Sequence, residues 1–136
     1  MSFMTDFRHF LINDVDLDFG TVVGDRIYQG INTRSEYPVC VYNVRGGDYD
    51  QYSFAGAKTF KSTKVQLDVY VQEPQLHLLE EIQVKMVGRL GKYSGAMGPT
   101  GSTVIKTTQI RDIAFSYNDD IRNPLYRLLV DIKLNY

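Results

Sequence analysis

The sequence has no tryptophan, one cysteine, two histidines and almost no net charge, and each shortage removes a class of function. With Cys40 alone, no intramolecular disulfide can form, which suits a reducing compartment. His9 and His77 fall on the polar sides of their expected helices, and nothing in the spacing groups either of them with Cys40 as a ligand or a base. A formal net charge of −1 argues against a strongly basic nucleic-acid surface and equally against disorder. No apolar run approaches the roughly 20 residues that span a bilayer, and Asp6, Arg8 and His9 interrupt the N-terminal stretch too early for a signal peptide. The expectation is a soluble protein made in the cytosol.

What is present points to an ordinary packed core. At 136 residues with 43% hydrophobic side chains, residues 1–136 read as a single domain that needs no disulfide or metal to fold. Ten tyrosines are the one compositional skew. Phe3, Phe7, Phe10 and Leu11 recur at helical spacing, so 3–13 is expected to be a short amphipathic helix with Thr5 as its cap. "PVCVYNVR" (38–45) is a β-rich run. In "STKVQLDVYVQ" (62–72) Val65, Leu67, Val69 and Val71 alternate with polar residues, the pattern of a half-buried strand. Pro74 suits the first turn of a helix whose apolar stripe is Leu76, Leu79, Ile82, Met86 and Leu90, with Glu81 and Lys85 pairing on its wet face. After the Gly-rich stretch 91–102, read as a flexible loop, residues 103–117 read as one strand with an irregularity near Gln109. The closing run places Tyr126, Leu128, Val130, Ile132, Leu134 and Tyr136 on one face. Together these predict an α+β fold: a four-stranded, mainly antiparallel sheet with two helices packed on one face and long inserted loops.

The search for chemistry returns plain readings. Asp14, Asp16 and Asp18 alternate ahead of a glycine, as the ligands of an EF-hand loop do. That loop needs glycine at its sixth position and a bidentate glutamate at its twelfth. Here those positions hold Phe19 and Asp25, with Gly20 one residue late, so a solvated acidic turn is expected and no metal. Cys40 shares a strand face with Tyr42 and Val44 and reads as a buried small hydrophobe. The glycines at 91–101 lack P-loop order. Lys58, Lys61 and Lys64 beside Tyr52, Phe54 and Phe60 can be drawn as a base-stacking platform, against which stand Asp48, Asp50 and the near-zero net charge. No catalytic, cofactor-binding or metal-binding residue is assigned. The connection 46–61 is longer than compact domains usually tolerate without a role. Its aromatics Tyr49, Tyr52, Phe54 and Phe60 either contact a partner or pack back on their own domain, and both readings stay open.

The order of segments says more than any single motif. A helix leads into "VVGDRIYQGI" (22–31), then "YPVCVYNV" (37–44), a long loop, "VQLDVYVQEPQLHLLEEIQVKM" (65–86), and "RDIAFSYNDDIRNPLYRLLVDIKLNY" (111–136). From about Phe3 to Tyr136 this resembles the tail-terminator, or tail-completion, family of tailed bacteriophages and related gene-transfer particles. The long loop at 46–61 and the Gly-rich loop at 91–102 depart from that pattern. The resemblance implies a non-enzymatic virion protein of the tail and neck, assembled in the host cytoplasm, forming a homo-oligomeric ring of six subunits. Such a ring would cap the head-proximal end of the tail tube, stop its growth and offer a docking surface to the head. The implied partners are further copies of the chain, the tail tube protein and the head–tail connector or neck proteins, with DNA passing through the lumen without specific binding. No membrane and no cofactor are implied. In that setting Tyr49, Tyr52, Phe54 and Phe60 would be subunit or tube contacts. A different neck component, such as a head-completion or stopper ring, and a small nucleic-acid-binding module are the competing expectations.

Overall fold

The computed structural model describes residues 3–30, 37–44, 49–52, 58–98, 103–105, 107–118 and 125–135. Among these described residues three helices are present: α1 (Phe3–Asn13), α2 (Gly20–Val23) and α3 (Leu76–Leu90). Eight strands accompany them: β1 (Ile27–Gln29), β2 (Val39–Val44), β3 (Tyr49–Tyr52), β4 (Lys58–Gln72), β5 (Gly95–Met97), β6 (Thr103–Ile105), β7 (Thr107–Asn118) and β8 (Leu125–Asn135). The α+β class holds, but the sheet is larger than four strands. Its order is β1-β2-β4-β8-β7, with β3 also paired to β4, and β5 with β6 forms a second, two-stranded sheet. The β1–β2 pair is parallel and every other pair in the main sheet is antiparallel.

Alternation decides which face is inside. Val65, Leu67, Val69 and Val71 of β4 lie opposite Ile132, Val130, Leu128 and Tyr126 of β8, and all but the partly buried Tyr126 are sealed from solvent. Cys40 and Tyr42 continue this face onto β2, and Phe7, Phe10 and Leu11 of α1 with Leu79, Ile82, Met86 and Leu90 of α3 close over it. Burying a side chain of this size is worth about 1.5–3 kcal/mol, so this layer holds the two helices to the sheet. Burial in this layer raises the Cys40 thiol pKa far above its ordinary value, as a packing residue's would be.

Several sequence expectations are corrected. α1 begins at Phe3, so Thr5 lies inside the helix and is not its cap. Pro74 sits in a 3-10 turn, Glu73–Gln75, that leads into α3. Residues 103–117 are two strands, β6 and β7; the irregularity in β7 falls between Ile110 and Asp112, a residue or two beyond the expected place. The Gly-rich stretch supplies β5, which has short strand pairing of its own through β6. The end of α3 is tied to β7 by Thr108, whose hydroxyl donates to the Leu90 carbonyl (2.6 Å) and accepts from the Tyr93 amide (2.8 Å).

The connection 46–61 contains β3 and the start of β4, which pair from Tyr49 opposite Ser62 to Tyr52 opposite Lys58. β2 pairs with the later part of β4, Val65–Tyr70, on the same side of that strand. β8 begins pairing with β4 only at Ser62. Among the described residues, Lys58–Lys61 therefore pair with β3 alone, and this two-stranded arm extends past the end of β8.

Candidate interaction surfaces

The acidic turn between α1 and α2 is a clamp onto α3. Asp14 receives both Nε and Nη2 of Arg89 (2.9 and 3.0 Å), and Asp18 receives Nζ of Lys85 (2.7 Å). Asp14 also accepts the Leu17 amide at 2.9 Å, which closes the turn, and Asp16 lies 3.8 Å from Arg89. Lys85 thus serves Asp18 in place of the expected Glu81. The Arg89 guanidinium lies 4.7 Å from the Tyr93 ring centroid, adding a cation–π contact. Hydrogen bonds from Lys85 first, and from the Thr21 hydroxyl second, hold the Asp18 carboxyl below its ordinary pKa. Asp18 itself has φ +53°, a left-handed conformation that aspartate tolerates better than most residues. The glycine that is one place late for a calcium loop has its own reason: a Cβ on Gly20 would strike the Ile12 carbonyl. Among the described residues no three His, Cys, Asp or Glu side chains converge as a metal-binding group.

The two ends of the main sheet are finished differently. At the β1 end the strand is three residues long, and Arg8 of α1 donates to the Ile27 carbonyl (3.1 Å) and the Asp25 carbonyl (3.0 Å). Such covering of backbone acceptors is a way of blunting an edge strand. At the other end β7 is twelve residues long and, among the described residues, pairs only with β8. The core face runs out there. Phe115 is opposite the sealed Leu128 and yet 52% exposed, and Tyr117 is 51% exposed while its ring lies 4.7 Å from that of Tyr126.

α3 adds to this surface. Leu76 and Val87 fall within about 20° of each other on the helix circumference and roughly opposite Lys85, which points to the acidic turn. Since that turn and α1 lie toward the β1 end, Leu76 and Val87 flank the β7 end; both are exposed, as is Val84 next to them. The sequence stripe placed Leu76 in the core, and the structure leaves it on this surface.

On the sheet face away from the helices, polar residues are buried as well. The alternation of β4 predicts a solvated face for its polar residues, but Asp68 and Gln66 on it are buried, and Val39 and Val41 of β2 beside them are buried too. Asp68 accepts from Nε and Nη2 of Arg127 (2.9 and 2.6 Å) and from the Gln66 amide. No spacing within one strand signals this pair; it exists because β8 sets Arg127 opposite Tyr70, one diagonal step from Asp68. Tyr70, Ser116, Leu125 and Arg127 line a shallow recess at that end.

Of the four aromatics singled out from sequence, Tyr49 and Tyr52 stand on β3 and Phe60 on β4. Their side chains, and Phe54 altogether, lie outside the described residues. His77 is exposed and His9 half-buried, with neither beside Cys40 in the core.

A scan against protein-family models finds no match for this chain, and a search of curated proteins finds none either. A search of solved structures finds similarity to a chain of a structure described as the virion of a native gene transfer agent particle. The TM-score is 0.54 at 9% sequence identity, over 98% of this chain and 93% of that one. At that identity the likeness is one of fold, and it spans nearly the full length of both chains.

Proposed function

We propose that this protein is a structural component of a phage-like particle, with no enzymatic role, and specifically a tail terminator. In this reading a ring of six copies caps the head-proximal end of the tail tube, ends its polymerisation and presents a docking surface to the head or neck, while DNA passes through the lumen. The observation that carries it is the near full-length likeness of fold to a chain of a gene transfer agent virion. The order of segments from the N-terminal helix to the final alternating strand supports the finer assignment. The surfaces suit such a role. A closed ring needs two different patches per subunit, and this molecule has a blunted sheet end and an apolar one. The arm of β3 and the start of β4 is a two-stranded element, marginal by itself in water, and in the assembled particle it gains a neighbour or the tube as support.

The test is electron microscopy of the purified protein mixed with tail tubes. Ring-shaped density at one end of each tube, with elongation arrested, is the expected result. Protein that leaves both tube ends bare and binds isolated heads instead would mark another neck component, such as a head-completion or stopper ring. Replacing Tyr52 and Phe54 with serine examines the arm. As contact residues they are expected to abolish capping at an almost unchanged melting temperature, because interface aromatics often dominate binding. Lower melting with capping retained would mean that they pack on their own domain.

A further inference from the structure

We infer that the free protein pairs with a second copy of itself through the open edge of β7, as a twofold, antiparallel continuation of the sheet centred on Phe115. Three observations lead there. The edge is long and, among the described residues, no further strand pairs with it, whereas the strand at the opposite end is three residues long and has its Ile27 carbonyl taken by Arg8, which also binds the Asp25 carbonyl just before it. Head-to-tail continuation of the sheet, β7 onto β1, would therefore engage only a short and partly covered edge, whereas a second β7 matches β7 in length. The apolar face beside this edge is exposed at Phe115 and Tyr117 and is extended by Leu76 and Val87 of α3.

The third observation is the strand's own register. Ile113, Phe115 and Tyr117 share the core face, since they lie opposite Val130, Leu128 and Tyr126. Two copies paired with Phe115 opposite Phe115 put Ile113 opposite Tyr117 twice, so the whole apolar strip is matched with itself. On the other face Ala114 falls opposite Ser116, and Asp112 falls opposite Asn118 and not opposite another acid. Directly opposed aromatic and β-branched pairs favour pairing, and opposed like charges disfavour it. The Ile110/Asp112 irregularity lies just outside this seven-residue stretch, so register holds through it. One strand pair with flanking helix contacts is at or below the size of stable interfaces, about 1,200 Å² in total, so the pair is concentration-dependent. It is a property of the free subunit and does not rest on the ring reading; either can fail alone.

Sedimentation of the full chain, with and without substitution, tests this. Wild-type protein is expected to show a monomer–dimer equilibrium. Phe115→Lys and Phe115→Glu, at an exposed position, are each expected to remain folded by circular dichroism and to weaken the dimer about tenfold or more. Their mixture is expected to associate at least about fivefold more tightly than either alone, because only a twofold register sets Lys opposite Glu. Phe115→Cys supplies a second readout: mild oxidation should give a covalent dimer, with the sealed Cys40 taking no part. A strictly monomeric wild type overturns the inference, as does a dimer indifferent to Phe115→Lys or a mixture that fails to recover association.

Discussion

The two ends of the sheet solve the same physical problem in opposite ways. At the β1 end the last strand is short, its Ile27 carbonyl and the Asp25 carbonyl just before it accept from Arg8, and nearby the acidic turn is pinned to α3 by Arg89 and Lys85. At the β7 end a twelve-residue strand has β8 as its one strand partner among the described residues, and the core face continues outward as Phe115 and Tyr117. The polar side chains of the first region are spent inside the monomer. The apolar side chains of the second are only half covered by the monomer: Phe115 and Tyr117 are each about half exposed, although the Tyr117 ring lies against Tyr126. That asymmetry is what the proposed ring and the inferred pair both draw on.

The sharpest way to break that comparison is within a single register pair. Leu128→Ala is expected to cost about 2–5 kcal/mol, because it opens a cavity in the sealed core layer. Phe115→Ser, at the residue opposite, is expected to leave the monomer within about 0.5 kcal/mol of wild type. Urea melts of dilute protein measure both. Comparable losses at the two sites would mean that Phe115 belongs to the core and that the β7 end is not an interface.

A smaller effect is expected on the far face. Arg127→Ala strands the buried Asp68 carboxylate without its main partner and is expected to cost about 2–3 kcal/mol. Replacing Asp68 and Arg127 together by leucine should recover much of that loss, because the desolvation cost goes with the charges. No recovery would mean that Arg127 acts by packing its stem and not by neutralising Asp68.

At the sealed end, Arg8→Ala removes two hydrogen bonds to backbone carbonyls and is expected to cost about 1 kcal/mol. It should also uncover the β1 edge, so light scattering at high concentration is expected to rise. A variant that loses stability without new association would leave Arg8 as a packing residue only.

The parts legible in the sequence are those whose burial is periodic. Val65, Leu67, Val69 and Val71, the matching run in β8, and the stripes of α1 and α3 announce both the element and its inner face. β3 and β5 are not legible, the parallel β1 shows only as extended chain and β6 merges with β7 into one run, because strands of three or four residues are specified by the partner they pair with, and Gly95 or Gln51 carries no alternation to read. Asp68 was misread for a related reason. A single strand's polar alternation marks a face, but whether that face is wet depends on Arg127, some sixty residues away in the chain. The exposed strip was hidden by its own regularity, since Phe115 continues a core pattern and only the lateral extent of α3 leaves it uncovered.

The smallest expected effect concerns the clamp, and it has a sign. Lys85 donates to Asp18, and this holds the folded-state pKa below the ordinary 3.8. Between those two values the unfolded carboxyl binds more protons than the folded one. The contribution is therefore complete above about pH 4, constant through neutrality, and lost as pH falls through the folded value. Asp18→Asn tolerates the left-handed backbone at φ +53° and removes the charge together with one of the two acceptor oxygens. Wild type is expected to melt slightly above the variant by the same margin at pH 7 and pH 5, with the margin closing below 3.8. Both side chains of the pair are about two-fifths exposed, so added salt should shrink the margin at neutral pH. Asparagine still offers Oδ1 to the Thr21 hydroxyl, so a margin that survives unchanged in strong acid and high salt would mean that the charge on Asp18, and with it the ion pair to Lys85, contributes nothing to holding the turn on α3.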